Sequence, residues 1–381
     1  MSGGPWRIVH FFRAPVGGLF RHVRDLAEAQ QDAGHAVGVI CDATIGSTME
    51  EHALDAIAPH LSLGLTRIPM PRQIRPSDIA ATWRALREVR RLNPDILHGH
   101  GAKGGVYART IGTLLRASGF RVARIYSPHG GSLHFDRNSL GGRAYLAAES
   151  VLRRMTDAFV FVSRFEADTY TSKVGSPGRL AVVVPNGLRA EEFDPVDPAP
   201  DAADFLFIGA LRDLKGPDVF IEALAEIERT GKATPTALIV GDGPDEPRYR
   251  QMVGDLGLSE AVAFREPMPA RRAFRHARGV IVPSRAESMP YIVLETIAAG
   301  MPLVATRVGG IPEIFGPEAE RLVPPGDAPA LAAAMARLRD DPATVKADSE
   351  RLRDSVRARF SVSAMAAAVA EVYQAVTIPK E

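Results

Sequence analysis

Two consecutive doubly wound α/β domains, each a parallel sheet with helices on both faces, are what this sequence predicts. Three observations predict it. Short apolar runs alternate with stretches of helical periodicity, the pattern of parallel strands joined by crossover helices. The alternation occurs twice, on either side of residues 192–204, where three Pro and four Asp in thirteen residues read as a linker that cannot build a core element. A length of 381 residues, at about 100–200 per domain, allows two domains with a core each.

The elements follow in order. Residues 7–12 read as the first strand and Pro15-Val16-Gly17-Gly18 as a tight turn. A helix from about Leu19 places Leu19, Val23, Leu26 and Ala27 on one face, and Ala33-Gly34 ends it. Residues 35–41 form the next strand, and Ile79, Trp83, Leu86 and Val89 mark the apolar face of another helix. Residues 94–98, 122–127 and 158–162 are strands, with a helix over 105–115. One doubly wound domain ends near Pro185. Beyond the linker, residues 205–208, 237–240, 262–264, 280–282 and 303–305 are the strands of a second Rossmann-like domain. From Ser361, the residues Val362, Met365, Ala366, Val369, Val372, Tyr373 and Val376 give an amphipathic helix with no strand after it, which must dock on an existing surface.

Composition excludes several classes. Hydrophobic residues make up 46% and aromatics 7%, with 46 Lys+Arg, 45 Asp+Glu and one cysteine, so disorder, collagen and a disulfide scaffold are out. Cys41 sits in an apolar run and is expected to pack as a small hydrophobe, which fits a reducing, cytoplasmic setting. Residues 1–8 lack a basic start followed by a long apolar stretch, and no run approaches the roughly 18 apolar residues of a membrane helix. The near-neutral total hides an asymmetry: residues 1–190 carry 24 basic and 15 acidic side chains, net +9, and residues 191–381 are net −8.

Ligands of parallel sheets bind beyond the carboxyl ends of the strands, so the loops there are where chemistry is sought. The most specific is Pro283-Ser284-Arg285-Ala286-Glu287-Ser288-Met289-Pro290-Tyr291, with a second carboxylate at Glu295 and Ala298-Ala299-Gly300-Met301-Pro302 after it. Two carboxylates suggest a glycosidase pair, but those stand about 5–9.5 Å apart. Eight helical residues rise about 12 Å. The pair is better spaced to hold two ends of one ligand, with the helix start between them favouring a phosphate. A carboxylate, an anion site and a carboxylate in series match the sugar hydroxyls, diphosphate and ribose of a nucleotide sugar. The plain alternative is two surface glutamates on an amphipathic helix.

This string resembles the signature of glycosyltransferase family 4, in which two glutamates with seven residues between them precede an Ala-Ala-Gly-x-Pro-x-Val-Ala-Thr run, here Ala298 to Thr306. Phe207-Ile208-Gly209-Ala210-Leu211-Arg212-Asp213-Leu214-Lys215-Gly216 resembles the family's phosphate-binding loop, and Val240-Gly241-Asp242-Gly243-Pro244 and Val184-Pro185-Asn186-Gly187 are typical of it. Gly17-Gly18 with His22, His98-Gly99-His100-Gly101-Ala102-Lys103, and Tyr126-Ser127-Pro128-His129-Gly130 resemble members that build bacterial surface polysaccharides. The resemblance spans residues 6–376. It implies the two-domain GT-B fold, with an acceptor-binding domain over 1–188 plus a returning helix at 361–376, a nucleotide-sugar domain over 200–360, and a cleft between them. It also implies metal-independent transfer from a nucleotide donor with retention of configuration.

Carried over by position, the resemblance assigns Glu287 to the donor sugar's hydroxyls, Glu295 to the ribose and Lys215 to the diphosphate. Gly17, Gly18, Gly209, Ser288, Met289, Pro290 and Tyr291 complete the expected donor site. His129, Glu287, Lys215 and Arg212 form the expected catalytic set. No Asp-x-Asp-like pair ends a strand in the right context to hold Mg²⁺, so the leaving diphosphate needs fixed cations, and no metal or cofactor is expected. Many members place Arg directly after the glycine of the phosphate loop; here Ala210 stands there, and Arg212 is expected to fill the role unless it is a loop arginine paired with Asp213. His98 and His100 alternate on a strand end and suit a metal, but the Cys and carboxylate partners of a zinc site are absent nearby. His100 and Lys103 read as acceptor-side groups or as plain loop residues, and His22 as a buried helix histidine or a ligand contact.

A dehydrogenase or epimerase would show Gly-x-Gly-x-x-Gly after the first strand, where this chain has Ala14-Pro15-Val16-Gly17-Gly18. A non-catalytic sugar- or nucleotide-binding protein would lose the charged donor groups, which are present, and no nucleic-acid motif accompanies the basic half. Arg84, Arg87, Arg90 and Arg91, with Trp83 and Leu86 among them, are either a solvated face over a buried Trp83 or a surface for an anionic membrane. The second alternative implies a peripheral enzyme on a cytoplasmic membrane face, extending a polyprenyl-diphosphate-linked glycan.

Overall fold

The apolar runs are strands buried on both faces, the setting in which strand sequences read as continuous rather than alternating hydrophobicity. A computed structural model describes residues 5–44, 48–71, 77–134, 137–230 and 234–377, so the first four residues of the N-terminal segment lie outside it. The chain divides into two units, Met1–Gly187 with Val362–Glu381, and Leu188–Ser361.

The first unit runs β1 (Arg7–Phe11), α1 (Gly17–Asp32), β2 (Ala36–Asp42), α2 (Thr48–Ile57), β3 (Gly64–Ile68), α3 (Ser77–Leu92), β4 (Ile96–His100), α4 (Gly101–Ala117), β5 (Ala123–Ser127), α5 (Leu140–Arg153), β6 (Ala158–Phe161), α6 (Arg164–Lys173) and β7 (Leu180–Val183). Among the described residues these strands form a seven-stranded parallel sheet of order β3-β2-β1-β4-β5-β6-β7. On one face Val9, Phe11 and Leu97 pack against Ala81, Ala85, Leu86 and Val89 of α3 and Tyr107, Ala108 and Ile111 of α4.

The second unit runs β8 (Ala203–Ile208), α7 (Pro217–Arg229), β9 (Ala237–Val240), α8 (Glu246–Asp255), β10 (Val262–Arg265), α9 (Ala270–Phe274), β11 (Ala277–Val282), α10 (Tyr291–Ala298), β12 (Leu303–Ala305), α11 (Ile311–Phe315), α12 (Ala328–Asp340) and α13 (Pro342–Arg359). Its five strands are parallel in the order β10-β9-β8-β11-β12, with Phe220 and Leu224 of α7 and Leu331 and Met335 of α12 against Phe205, Phe207 and Ile239. The chain then returns to the first unit as α14 (Val362–Val376), where Met365, Val369, Val372 and Tyr373 cover Ile8, Ile96, Ile125, Ala158 and Val160 on the sheet face opposite α3 and α4.

Three of the elements read from the sequence differ in the structure. Helix α1 starts at Gly17, so the expected turn at Gly17-Gly18 is its first turn. Helix α4 starts at Gly101 rather than 105, because Gly101, at φ 66°, converts strand to helix within one residue. Lys103 therefore lies in a helix and not in a loop. In α3, Ile79 and Trp83 are 66% and 61% exposed. Small Ala81 and Ala85 let the helix seat closely on the sheet beside Leu86 and Val89, which turns Ile79 and Trp83 outward.

Candidate functional site

In the second unit, backbone hydrogen bonds join the loops after β8, β9 and β11. The Gly209 N–H donates to Val240 O (3.0 Å), Leu211 N–H to Asp242 O (2.7 Å) and Arg285 N–H to Leu214 O (2.9 Å). Arg285 fastens the set with a forked pair to Asp218 (2.8 and 2.6 Å) and a bond to Asp213 O (2.7 Å). Within this frame Lys215 Nζ and Ser284 Oγ both donate to Oε1 of the buried Glu287, at 2.6 and 2.7 Å. Among the described residues its Oε2 has no partner. Thr306 Oγ1 holds the Ser284 carbonyl (2.6 Å), and Gly310 N–H the Ser288 carbonyl (2.8 Å). Gly309, at φ 58°, passes so close that a Cβ there would lie 1.8 Å from Glu287 O.

Helix α10 begins directly after this carboxylate. Its N-cap, Pro290, is extended and makes no side-chain cap, and no acidic residue occupies its first turn. The first N–H groups therefore have neither an intrahelical acceptor nor a side-chain cap, the arrangement that attracts an anion. Met289 and Tyr291 are buried beside it, and Glu295 is half-buried in its second turn. The Arg212 side chain is exposed and without a partner among the described residues. The alternative pairing with Asp213 is not formed, since Asp213 faces Arg285 at 3.5 Å and Arg248 at 3.8 Å.

In the first unit the structure brings together histidines from four segments. His10 lies near the end of β1 beside His98 and His100 of β4, His22 comes from α1, and His129 follows β5. His10 Nδ1 lies 3.0 Å from His100 Nε2, and His100 Nδ1 lies 3.1 Å from His129 Nε2. His98 bonds Tyr373 OH at 2.7 Å and Ser127 Oγ at 2.8 Å, and His22 Nδ1 bonds Asn186 Oδ1 at 3.0 Å. Burial lowers the pKa of His10 and of His22 to about 4, and that of His98, His100 and His129 well below the ordinary value, so all five rings are neutral at pH 7. Ligand nitrogens of His10, His98 and His100, and of His22, His100 and His129, lie within 4.8 Å of one another. Both ring nitrogens of His10, His98 and His100 are already in hydrogen bonds.

His129 is one of two non-glycine residues at positive φ among those described, at 49°, a conformation that costs about 1–3 kcal/mol and persists where surroundings enforce it. The enforcing group is Glu166, whose buried carboxylate accepts from the N–H of Gly130 and, at 2.9 Å, from that of Val162. Burial, opposed by those two bonds, raises its pKa to about 7. Sequence reasoning missed Glu166, although Ser163 three residues before it is the signature of a helix cap; Ser163 Oγ does accept from Glu166 N–H at 3.1 Å. Gly17 and Gly18 are exposed at the start of α1, where Val16 gives no side-chain cap, and Lys103 is half-buried in the first turn of α4.

The profile described as glycosyltransferase family 4 matches residues 16–192, and that described as glycosyl transferases group 1 matches residues 202–341. A D-inositol 3-phosphate glycosyltransferase of Acidothermus cellulolyticus is 32% identical over 311 residues, 71% of this chain and 66% of that protein. A glycogen synthase of Mycobacterium tuberculosis is 26% identical over 94% of this chain and 91% of its own. The solved structure of Anabaena HepE with UDP and glucose superposes with a TM-score of 0.80 at 17% identity, over 97% of this chain and 99% of that one. The fold agrees, and the family profiles cover both units. The chain belongs to glycosyltransferase family 4 and is a sugar-transferring enzyme of the GT-B fold.

Proposed function

We propose that this enzyme moves a sugar from a nucleoside-diphosphate donor of the UDP-sugar class to a glycan acceptor, with retention of configuration and without a metal ion. The observation that carries the reading is Glu287. One oxygen is fixed by Lys215 and Ser284, and the other is left to accept from donor-sugar hydroxyls beside the uncapped start of α10. Lys215, Arg212 and the α10 N–H groups would stabilise the departing diphosphate, the largest charge that develops in the reaction. Glu295 would take the ribose hydroxyls. His129 would contact the donor sugar from the first unit, with Gly17 and Gly18 near the diphosphate and His22, His100 and Lys103 on the acceptor side. Retention follows the family resemblance. The uridine base rests on HepE, whose solved complex contains UDP.

For the acceptor, the exposed stripe of α3 supports a lipid-linked glycan in bacterial surface polysaccharide synthesis. Ile79 and Trp83 stand outward beside Arg84, Arg87, Arg90 and Arg91, and the Arg84 and Arg87 side chains have no partner among the described residues. Each arginine near an anionic leaflet contributes about 1 kcal/mol, and outward Trp suits the headgroup level. No helix among the described residues is long and apolar enough to cross a membrane, so attachment of this kind would be peripheral, on the cytoplasmic face. A second reading, a small phosphorylated polyol as acceptor, is favoured by the activity that names the Acidothermus relative. A thermal-shift screen of nucleoside-diphosphate sugars in EDTA tests the donor reading. Stabilisation by UDP-sugars with the chelator present is expected, and stabilisation only with added Mg²⁺ or Mn²⁺ would sink it.

A further inference from the structure

The clustered imidazoles of the first unit, buried except for the half-buried His129, form a directed chain. Gln30 Nε2 donates to Tyr373 OH at 3.3 Å, and its carbonyl Oε1 lies 2.8 Å from His10 Nε2. A carbonyl oxygen only accepts, so His10 carries its proton on Nε2. A neutral imidazole has one N–H, which leaves His10 Nδ1 as a lone pair facing His100 Nε2 at 3.0 Å. His100 must donate there, so its Nδ1 is the lone pair that faces His129 Nε2 at 3.1 Å. His129 in turn must donate from Nε2. The single-proton accounting holds because burial keeps each ring neutral.

We infer that Gln30, through His10 and His100, fixes His129 as a hydrogen-bond acceptor at Nδ1, making it a receptor for a hydroxyl of the sugar and a poor neighbour for a phosphate oxygen. Nδ1 has no partner among the described residues. The neighbouring ring supports the same ligand chemistry. His22, packed edge-on against His129 at 4.6 Å between centroids, uses Nδ1 on Asn186 Oδ1, and its Nε2 is buried without a hydrogen bond. Acceptor nitrogens on two rings in edge-to-face contact call for O–H donors. Gln30, His10 and His100 are thus positioning residues: the chain sets which nitrogen of His129 holds the proton, a detail on which its chemistry depends. The inference rests on the reading of His129 as a sugar contact only for its functional consequence, since the proton positions are a property of the resting protein.

The test is ¹⁵N NMR of the full chain labelled at histidine, in which long-range couplings report the protonated nitrogen of each ring. The expected result is Nε2–H for His10, His100 and His129. Gln30→Leu should mix the two tautomers of His129 and lower kcat about fivefold, the equivalent of one neutral hydrogen bond of about 1 kcal/mol, with donor KM within about twofold. Gln30→Glu, which keeps an acceptor, should restore both. His129 protonated at Nδ1 in the unaltered protein, or a tightly bound transition metal on these nitrogens in the purified protein, would overturn the relay. The wild-type spectrum decides this even if Gln30→Leu fails to fold. The expected tautomers with no transfer from any nucleotide sugar would leave the relay standing and overturn the proposed function.

Discussion

Lys215 and Glu287 neutralise each other at 2.6 Å, with the carboxylate nearly buried and the ammonium partly open to solvent. A diphosphate arriving at Lys215 would loosen that pair and leave Ser284 to orient the carboxylate. Removing either partner strands the other, so the Lys215→Ala and Glu287→Gln effects on kcat should add to more than the double variant shows. Glu287→Ala should mainly lower kcat, because its free oxygen is the one proposed to hold the reacting sugar. Glu295→Ala should instead raise donor KM roughly 10- to 100-fold, the loss of a charged hydrogen bond of about 1.5–3 kcal/mol. Equal changes in kcat and KM for both single variants would contradict that division. The histidines make a separate prediction. His10 and His22 titrate near 4 when folded and near 6.5 when unfolded, so the unfolded state binds more protons between those values. Their contribution to stability is therefore complete above pH 6.5 and falls as pH drops toward 4, by about 2 kcal/mol for each of the two at pH 5, together more than the opposite contribution of Glu166, whose raised pKa adds stability as pH falls through 7. Urea midpoints at pH 7.5 and 5 check this, and equal midpoints would refute it.

Helix α14 shows how much of an element was readable in advance. Of the apolar positions its periodicity named, Met365, Val369, Val372 and Tyr373 are buried, at about 1.5–3 kcal/mol for each large apolar side chain, and Val362, Ala366 and Val376 are half-buried against the same cluster. Tyr373 also gives His98 and Gln30 their phenolic partner. A chain ending at Phe360 should expose the sheet face and become insoluble or inactive; a soluble, active truncation would refute this. Other elements were less legible for identifiable reasons. Strands β3 and β7 were not foreseen: β3 is partly exposed at the sheet edge and its Gly-Leu-Thr-Arg-Ile lacks a continuous apolar run, and β7, an apolar Leu-Ala-Val-Val at the other edge, is exposed or half-buried throughout and falls where the sequence reads as the end of the domain. The site of the second unit was legible because one string, from Ser284 to Glu295, carries most of it. The histidine chain was not, since Gln30, His10, His100 and His129 are joined only by tertiary contacts, and Asn186, picked out with its motif, gave no sign that it holds His22. The orientation of α3 depended on two alanines, which a hydrophobic pattern weighs less than Ile79 and Trp83.

At the scale of the whole molecule, the basic half, net +9 over residues 1–190, nearly coincides with the first unit, and the outward Trp83 lies within it. If that half meets an anionic leaflet, sedimentation with phosphatidylglycerol vesicles should be salt-sensitive and should weaken when Arg84, Arg87, Arg90 and Arg91 become Ser; no partitioning at low salt would favour the phosphorylated polyol. In the proposed reading the donor chemistry belongs to the second unit, where cations and helix N–H groups of the chain itself would take the place of a divalent ion. The most direct test is therefore nucleoside-diphosphate release from UDP-sugars by the 381-residue chain in EDTA, compared with Glu287→Ala. The account predicts turnover with the chelator present and its loss in the variant. Release that requires added Mg²⁺ or Mn²⁺, or that persists undiminished in Glu287→Ala, would contradict it.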